Sequence, residues 1–201
     1  MVYSPAKGGA AMKLESHRIL GRYLADAYLQ ELPKRHMQAF LLGCILPDRN
    51  PATYLKGSAR ARWLRGHNWS NANRYIRRLC IRLEDHRKPG IWAFYSLGKL
   101  IHYTADAFTL AHNDRFPTAI RLHRSYEAQL HHRFNVYLSL APLLCRLPGR
   151  PMAEIVFQAH SRYETDIPGP DTDLRYTLDT CSALLCRFCR KIFASHACQI
   201  P

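Results

Sequence analysis

Residues 91–111 read IWAFYSLGKLIHYTADAFTLA, and the pattern of this stretch decides the fold. Apolar residues occupy nearly every turn of a 3.6-residue period. The Pro89–Gly90 break precedes the stretch and the turn-rich Asn113–Pro117 follows it, so the pattern predicts a largely buried helix over Ile91–Ala111. His102 and Asp106 interrupt the apolar run four residues apart, which places both on one helix face about one turn apart. Burying an aspartate among Leu97, Ile101, Tyr103, Phe108 and Leu110 costs several kcal/mol unless it is paired or bound to a metal.

The same period extends outward in both directions. From Leu14 to Leu32, the residues Ile19, Leu20, Tyr23, Leu24, Ala27 and Tyr28 recur at three- and four-residue steps, with Pro33 as the stop. Met37–Cys44 reads as a short second helix, ended by Gly43 and Pro47. Residues 47–69 carry Pro47, Pro51, Gly57 and Gly66 and read as a long connection of the kind that is more often functional than idle. Ser70 or Asn71 is placed to cap a helix running to about His86, and Thr118 one running to Leu140 before Pro142. Met152–Tyr163 and Asp173–Phe193 follow, divided by Pro168-Gly169-Pro170. Strand alternation and internal repeats are missing from the sequence. The expectation is one all-α domain of about seven helices, with a metal site between helices, over residues 12–201 and behind a short leader at 1–11.

Composition narrows the class. With 201 residues and a hydrophobic fraction of 47%, the chain can bury a real core, which argues against disorder. The formal charge of +14 points either to an anionic partner or to a solubilising arginine surface. Seven cysteines, an odd number spread along the chain, fit a reduced protein better than a disulfide framework. Cys181, Cys186, Cys189 and Cys198 gather late in the chain, but Leu184, Leu185, Phe188, Ile192 and Phe193 surround them at helical spacing. That favours thiols over a zinc knuckle. No secretory signal and no long apolar run are evident, so the expected location is cytoplasmic, with peripheral membrane association possible.

The chemistry lies between Leu97 and Glu127. His123 and Glu127 repeat the four-residue step of His102 and Asp106, and His112 falls between the two pairs. Imidazole plus carboxylate is the ligand set of hydrolytic zinc sites. A cation held by His112, His123 and Glu127 would keep one position open for water, as catalytic rather than structural sites do. A single such pair is ordinary on a helix surface, and the neighbouring His131 and His132, read as solvated or substrate-facing, show how freely this chain uses histidine. Two pairs on adjacent apolar-flanked helices are not.

Leu97-Gly-Lys-Leu-Ile-His-Tyr-Thr-Ala-Asp106, then His112-Asn113, then His123-Arg-Ser-Tyr-Glu127, resembles the core motif of the bacterial zinc-dependent phospholipases C. The resemblance extends upstream to Glu15-Ser16-His17, Gly43-Cys-Ile-Leu-Pro-Asp48 and Gly66-His67-Asn68, and spans roughly residues 14–135. It implies that Asp48, His67, His102 and Asp106 hold one zinc ion, and that His112, His123 and Glu127 hold another. In the secreted enzymes a third ion takes the amine of an N-terminal Trp. Here, with Glu15-Ser16 ahead of His17, that ion would keep only His17 and Asp106, so the resemblance implies two ions and leaves the third open. Asp106 would bridge metals, and Asp48 would also orient the attacking water.

The implied activity is hydrolysis of a phospholipid head group at the diacylglycerol side of phosphate, part of lipid metabolism. The related S1/P1-type nucleases usually place Asp where this chain has Glu127, so single-strand nuclease or nucleotide phosphodiesterase activity is the alternative. A non-catalytic protein that keeps metals for folding, and binds membrane or nucleic acid, is a third reading. Cations of residues 56–65 are expected to steer anionic substrate, and Tyr54, Trp63, Trp69 and Phe116 to line the site.

Overall fold

In the computed structural model, residues 9–50, 52–53, 66–85, 89–116, 120–140 and 149–197 are described. They form seven α-helices: α1 (Gly9–Tyr28), α2 (Lys34–Arg49), α3 (Trp69–Asp85), α4 (Ile91–Ala107), α5 (Ile120–Leu140), α6 (Met152–Thr165) and α7 (Pro170–Ala197). A 3-10 turn, Leu110–His112, lies between α4 and α5. The expected all-α fold is what the chain adopts. No described helix is long and apolar enough to cross a membrane.

Helix α4 is the axis of the bundle. Every residue from Ser96 to Ala107 except Lys99 is buried, and α1, α2, α3 and α7 all pack on it. One continuous core joins Leu20 and Leu24 of α1, Phe40 of α2, Ile76 and Leu79 of α3, Phe94, Leu97 and Ile101 of α4, and Leu184 and Phe188 of α7. A helix with apolar residues all round can only be stable when covered on every side, and here the neighbours provide that cover.

The α2–α4 packing corrects the expectation of a short second helix ending at Gly43. Helix α2 runs through Gly43 to Arg49 with Pro47 inside its last turns. Gly43 is not a stop but a contact. A Cβ there would lie 2.2 Å from the Tyr95 carbonyl oxygen, and one at Gly98 would lie 2.1 Å from that of Phe40. The two glycines therefore let the backbones of α2 and α4 touch.

Other boundaries shift for equally local reasons. Helix α3 begins earlier than Ser70, because Asn68 caps it: its side-chain oxygen accepts from the Ser70 N–H at 3.3 Å and its carbonyl from the Ala72 N–H at 2.8 Å. Helix α4 ends at Ala107 rather than Ala111. The Asn113 side chain donates to the carbonyls of Ala107 (3.0 Å) and Thr109 (2.8 Å), satisfying acceptors that a longer helix would have used. Helix α7 starts with Pro170 at its first position, where a missing N–H costs nothing. The expected leader boundary at residues 11/12 falls inside α1, which begins at Gly9, whereas Tyr54, Trp63, the cations of residues 56–65, Thr118, Pro142 and Cys198 lie outside the described residues.

Cys44, Cys80, Cys181 and Cys189 are buried free thiols, and burial pushes the Cys80 and Cys189 thiols up to about 12. Cys186 departs from the all-thiol expectation, because it is disulfide-bonded.

Candidate metal centre

Helices α1 and α2 and the residues just ahead of α3 deliver ligand-type side chains to the C-terminal end of α4. His17 comes from α1, Asp48 from the last turn of α2, His67 from just ahead of α3, and His102 and Asp106 from α4. The ring centroids of His17 and His102 are 3.9 Å apart. Asp106 lies at the middle, 4% exposed. Its Oδ2 is 2.8 Å from His67 Nδ1 and 3.3 Å from His102 Nε2. Its Oδ1 is 3.2 Å from His17 Nε2 and 3.9 Å from His112 Nε2. Asp48 stands beside the same imidazoles, 3.6 Å from His67, 3.7 Å from His102 and 3.9 Å from His17.

Hydrogen bonds on the far side of the rings fix which nitrogens carry protons. His102 Nδ1 faces the Cys44 carbonyl oxygen at 2.9 Å. A carbonyl only accepts, so Nδ1 carries the hydrogen and a neutral His102 turns the lone pair of Nε2 inward. Thr53 Oγ1 lies 2.6 Å and 2.7 Å from the carbonyls of Pro47 and Asn50. Its one hydrogen is taken by those acceptors, so it accepts from His67 Nε2–H at 3.1 Å, and a neutral His67 turns the Nδ1 lone pair inward. His67 Nδ1 and His102 Nε2 then face each other at 3.2 Å, with the Asp106 carboxylate completing a triangle and no proton between the nitrogens.

Three lone pairs at 2.8–3.3 Å from one another repel unless a proton or a metal cation sits among them. Ligands about 2.0–2.1 Å from a tetrahedral zinc ion are about 3.3–3.4 Å apart, so the donor set and its spacing fit that metal. Outward hydrogen bonds that set the tautomer are also what metal-ligating histidines ordinarily have.

Burial works against charge on Asp106, but His112, His102 and His17 outweigh it and hold the carboxyl well below its ordinary range. Burial, with His17 alongside, pushes His102 below the ordinary histidine range despite Asp106 and Asp48. Ionised carboxylate and neutral imidazole are the forms that bind a metal.

The second half of the site is His112 on the 3-10 turn with His123 and Glu127 on α5. Glu127 Oε1 lies 3.2 Å from His112 Nε2 and 2.9 Å from His123 Nε2. The early end of α4 makes this possible, because it releases His112 from the helix and turns it toward α5. Within each of three groups the ligand atoms lie within 4.8 Å of one another: His17, Asp48 and His102; His67, His102 and Asp106; and His112, His123 and Glu127. All eight candidate ligands thus meet in one place, and His17 falls with Asp48 and His102 as well as beside Asp106. None of these groupings among the described residues includes a cysteine.

A cavity of about 50 Å³ opens beside the centre. It is lined both by His17, Asp106, His112 and Glu127 and by Leu20, Leu130, Phe134 and Leu174. Phe116 stands near the more exposed His123, with ring centroids 6.3 Å apart. Trp69 does not line the site. It stacks on His160 at 3.7 Å.

Sequence reading missed several residues that support the site. Ser16 Oγ is 2.8 Å from Nδ1 of His131, so His131 is tied to α1 while His132 is exposed. His160 donates from Nε2 to Asn113 Oδ1 at 3.2 Å and so braces the residue that ends α4. Asp173 anchors the 3-10 turn by accepting from the Leu110 N–H at 2.8 Å. None of these pairings has a spacing signal, since the partners lie on different elements.

Among protein families, residues 16–184 match the one described as zinc dependent phospholipase C. No curated protein and no solved structure matches the chain.

Proposed function

The chain belongs to the zinc-dependent phospholipase C family, and on that premise we propose that it is a zinc-dependent hydrolase cleaving the phosphodiester of a phospholipid head group. The observation that carries this reading is the joining of the two carboxylate–imidazole centres through Asp106, whose two oxygens face different histidines. His67, His102 and Asp106, with Asp48 and His17 beside them, would hold one ion; His112, His123 and Glu127 would hold another. When bound, zinc neutralises phosphoryl oxygens and brings the pKa of water toward neutrality.

The protein's own groups perform the rest. Asp48, 3.6–3.9 Å from His67, His102 and His17, would orient the attacking water. Asp106, ionised in its ring of histidines, sets the separation of the two halves. The hydrogen bonds from His102 to Cys44 and from His67 to Thr53 keep both imidazoles from rotating, so the site is ordered before substrate arrives. Open access at His123 lets substrate reach the second half.

The cavity favours a lipid over a nucleic acid. Its lining combines the ligand-type residues with Leu20, Leu130, Phe134 and Leu174, a mixture that suits an amphiphilic phosphate ester. Nucleic acids instead need cationic grooves with aromatic stacking platforms. The test is a direct comparison of a choline phospholipid with single-stranded DNA, using zinc-loaded protein. Release of diacylglycerol and phosphorylated head group, with the DNA left intact, is expected. Cleavage of DNA alone would transfer the protein to the nuclease branch, and loss of neither substrate would leave a non-catalytic metal protein.

A further inference from the structure

Asp173 is a charged-type side chain with no exposed surface, in the first turn of α7 and in a region where the sequence shows no motif. Its carboxylate receives three donors from three other elements. Oδ2 accepts from the Leu110 backbone N–H at 2.8 Å and from the Tyr126 hydroxyl at 2.8 Å. Oδ1 accepts from the Tyr163 hydroxyl at 2.7 Å. These donors come from the 3-10 turn, α5 and α6, and their partner is 63, 47 and 10 residues away respectively.

Two of the donors adjoin candidate ligands. Leu110 opens the 3-10 turn whose last residue is His112. Tyr126 precedes Glu127 and follows His123 by three residues on α5. One oxygen therefore holds both elements of the second centre at a fixed offset. The turn bearing His112 has no regular helix to fix it, and α5 is more exposed than α4. A buried carboxylate that accepts from both is the device that keeps Nε2 of His112 and Nε2 of His123 converging on Glu127 Oε1.

We infer that Asp173 is the positioning residue of the His112–His123–Glu127 centre, setting its zinc affinity through Leu110 and Tyr126 without touching the ion. This rests on the proposed metal reading. It assigns a function to a segment that the ligand motif does not reach, although the family match extends over it. The other centre is held differently, by Cys44 and Thr53, so the two should respond separately.

The experiment is titration of the full chain with zinc against a chromophoric chelator, for wild type, Asp173→Ala, Tyr126→Phe and His112→Ala. His112→Ala identifies which binding step belongs to the second centre. Asp173→Ala is expected to weaken that step about tenfold or more, within the roughly 10–100-fold range known for outer partners of metal sites, while the other step changes less than about twofold. Tyr126→Phe, which removes one hydroxyl and keeps Leu110 and Tyr163 in place, is expected to weaken the same step by about tenfold. It also serves if the alanine variant fails to fold. A lowered melting temperature with both zinc steps unchanged would overturn the inference, as would equal weakening of both steps. A wild-type chain that takes up no zinc would instead overturn the metal reading, and this inference with it.

Discussion

Replacing Gly98 by alanine tests whether the α2–α4 contact builds the site. The added Cβ would lie 2.1 Å from the Phe40 carbonyl oxygen, 2.8 Å from Gly43 Cα and 2.9 Å from the Cys44 nitrogen. All three are backbone atoms that no rotamer change can move. Relief requires the helices to part by about 1 Å, taking Phe40, Leu97 and Ile101 out of contact; overpacking of this kind costs about 1–3 kcal/mol and sometimes more. Alanine recovers about 1 kcal/mol of helix propensity. Because the clash is with rigid backbone from both sides, the cost falls at or beyond the upper end, and the net loss should be about 3 kcal/mol. For a chain of this size that lowers the melting temperature by about 6–12 °C. The same displacement stretches the 2.9 Å bond from His102 to Cys44, so zinc affinity at the first centre should fall as well. Denaturant unfolding and zinc titration measure the two effects, with Gly149→Ala as the control, because nothing lies within 4 Å of its Cβ position. A Gly98→Ala protein as stable as wild type, with zinc binding intact, would refute the claim that this crossing positions His102.

Asp106→Asn should abolish turnover and loosen both ions, each by more than the roughly 10–100-fold seen for outer partners; unchanged turnover would remove its bridging role. Stripping zinc with a chelator should lower stability by about 4 kcal/mol for each ion removed, relative to protein at a thousandfold excess over the dissociation constant of that site, read as a melting shift reversed by zinc and not by magnesium. His160 gives a pH signature of its own. Burial pushes its pKa down to about 4, below the unfolded value, so its contribution is present above about pH 6.5 and is lost as pH falls toward 4. Between pH 7 and 5 that loss is about 2 kcal/mol. The stability of His160→Phe relative to wild type should therefore improve by that amount over the same interval, measured by urea unfolding at each pH. A constant difference would show that His160 is not held neutral.

What could be read from the sequence were the features carried by local period and fixed spacing. The helices of α1, α4, α5, α6 and α7 follow from their apolar steps, and His102–Asp106 and His123–Glu127 share helix faces because four residues make about one turn. What could not be read depends on contacts between distant residues. Gly43 looks like a helix stop until Gly98 is brought against it. The end of α4 is set by the Asn113 side chain, itself held by His160, 47 residues later. Asp173 reads as an ordinary acidic residue near a helix start, and only the packing of α5 and α6 on α7 turns it into an acceptor for three donors. There burial outweighs those donors and pushes its carboxyl up to about 6.

The most direct test of the central claim is metal analysis of the folded chain purified without added chelator or zinc. Convergence of eight imidazole and carboxylate ligands, at about three to four per ion, requires about two or three zinc ions per chain. A fully folded, metal-free protein would contradict it.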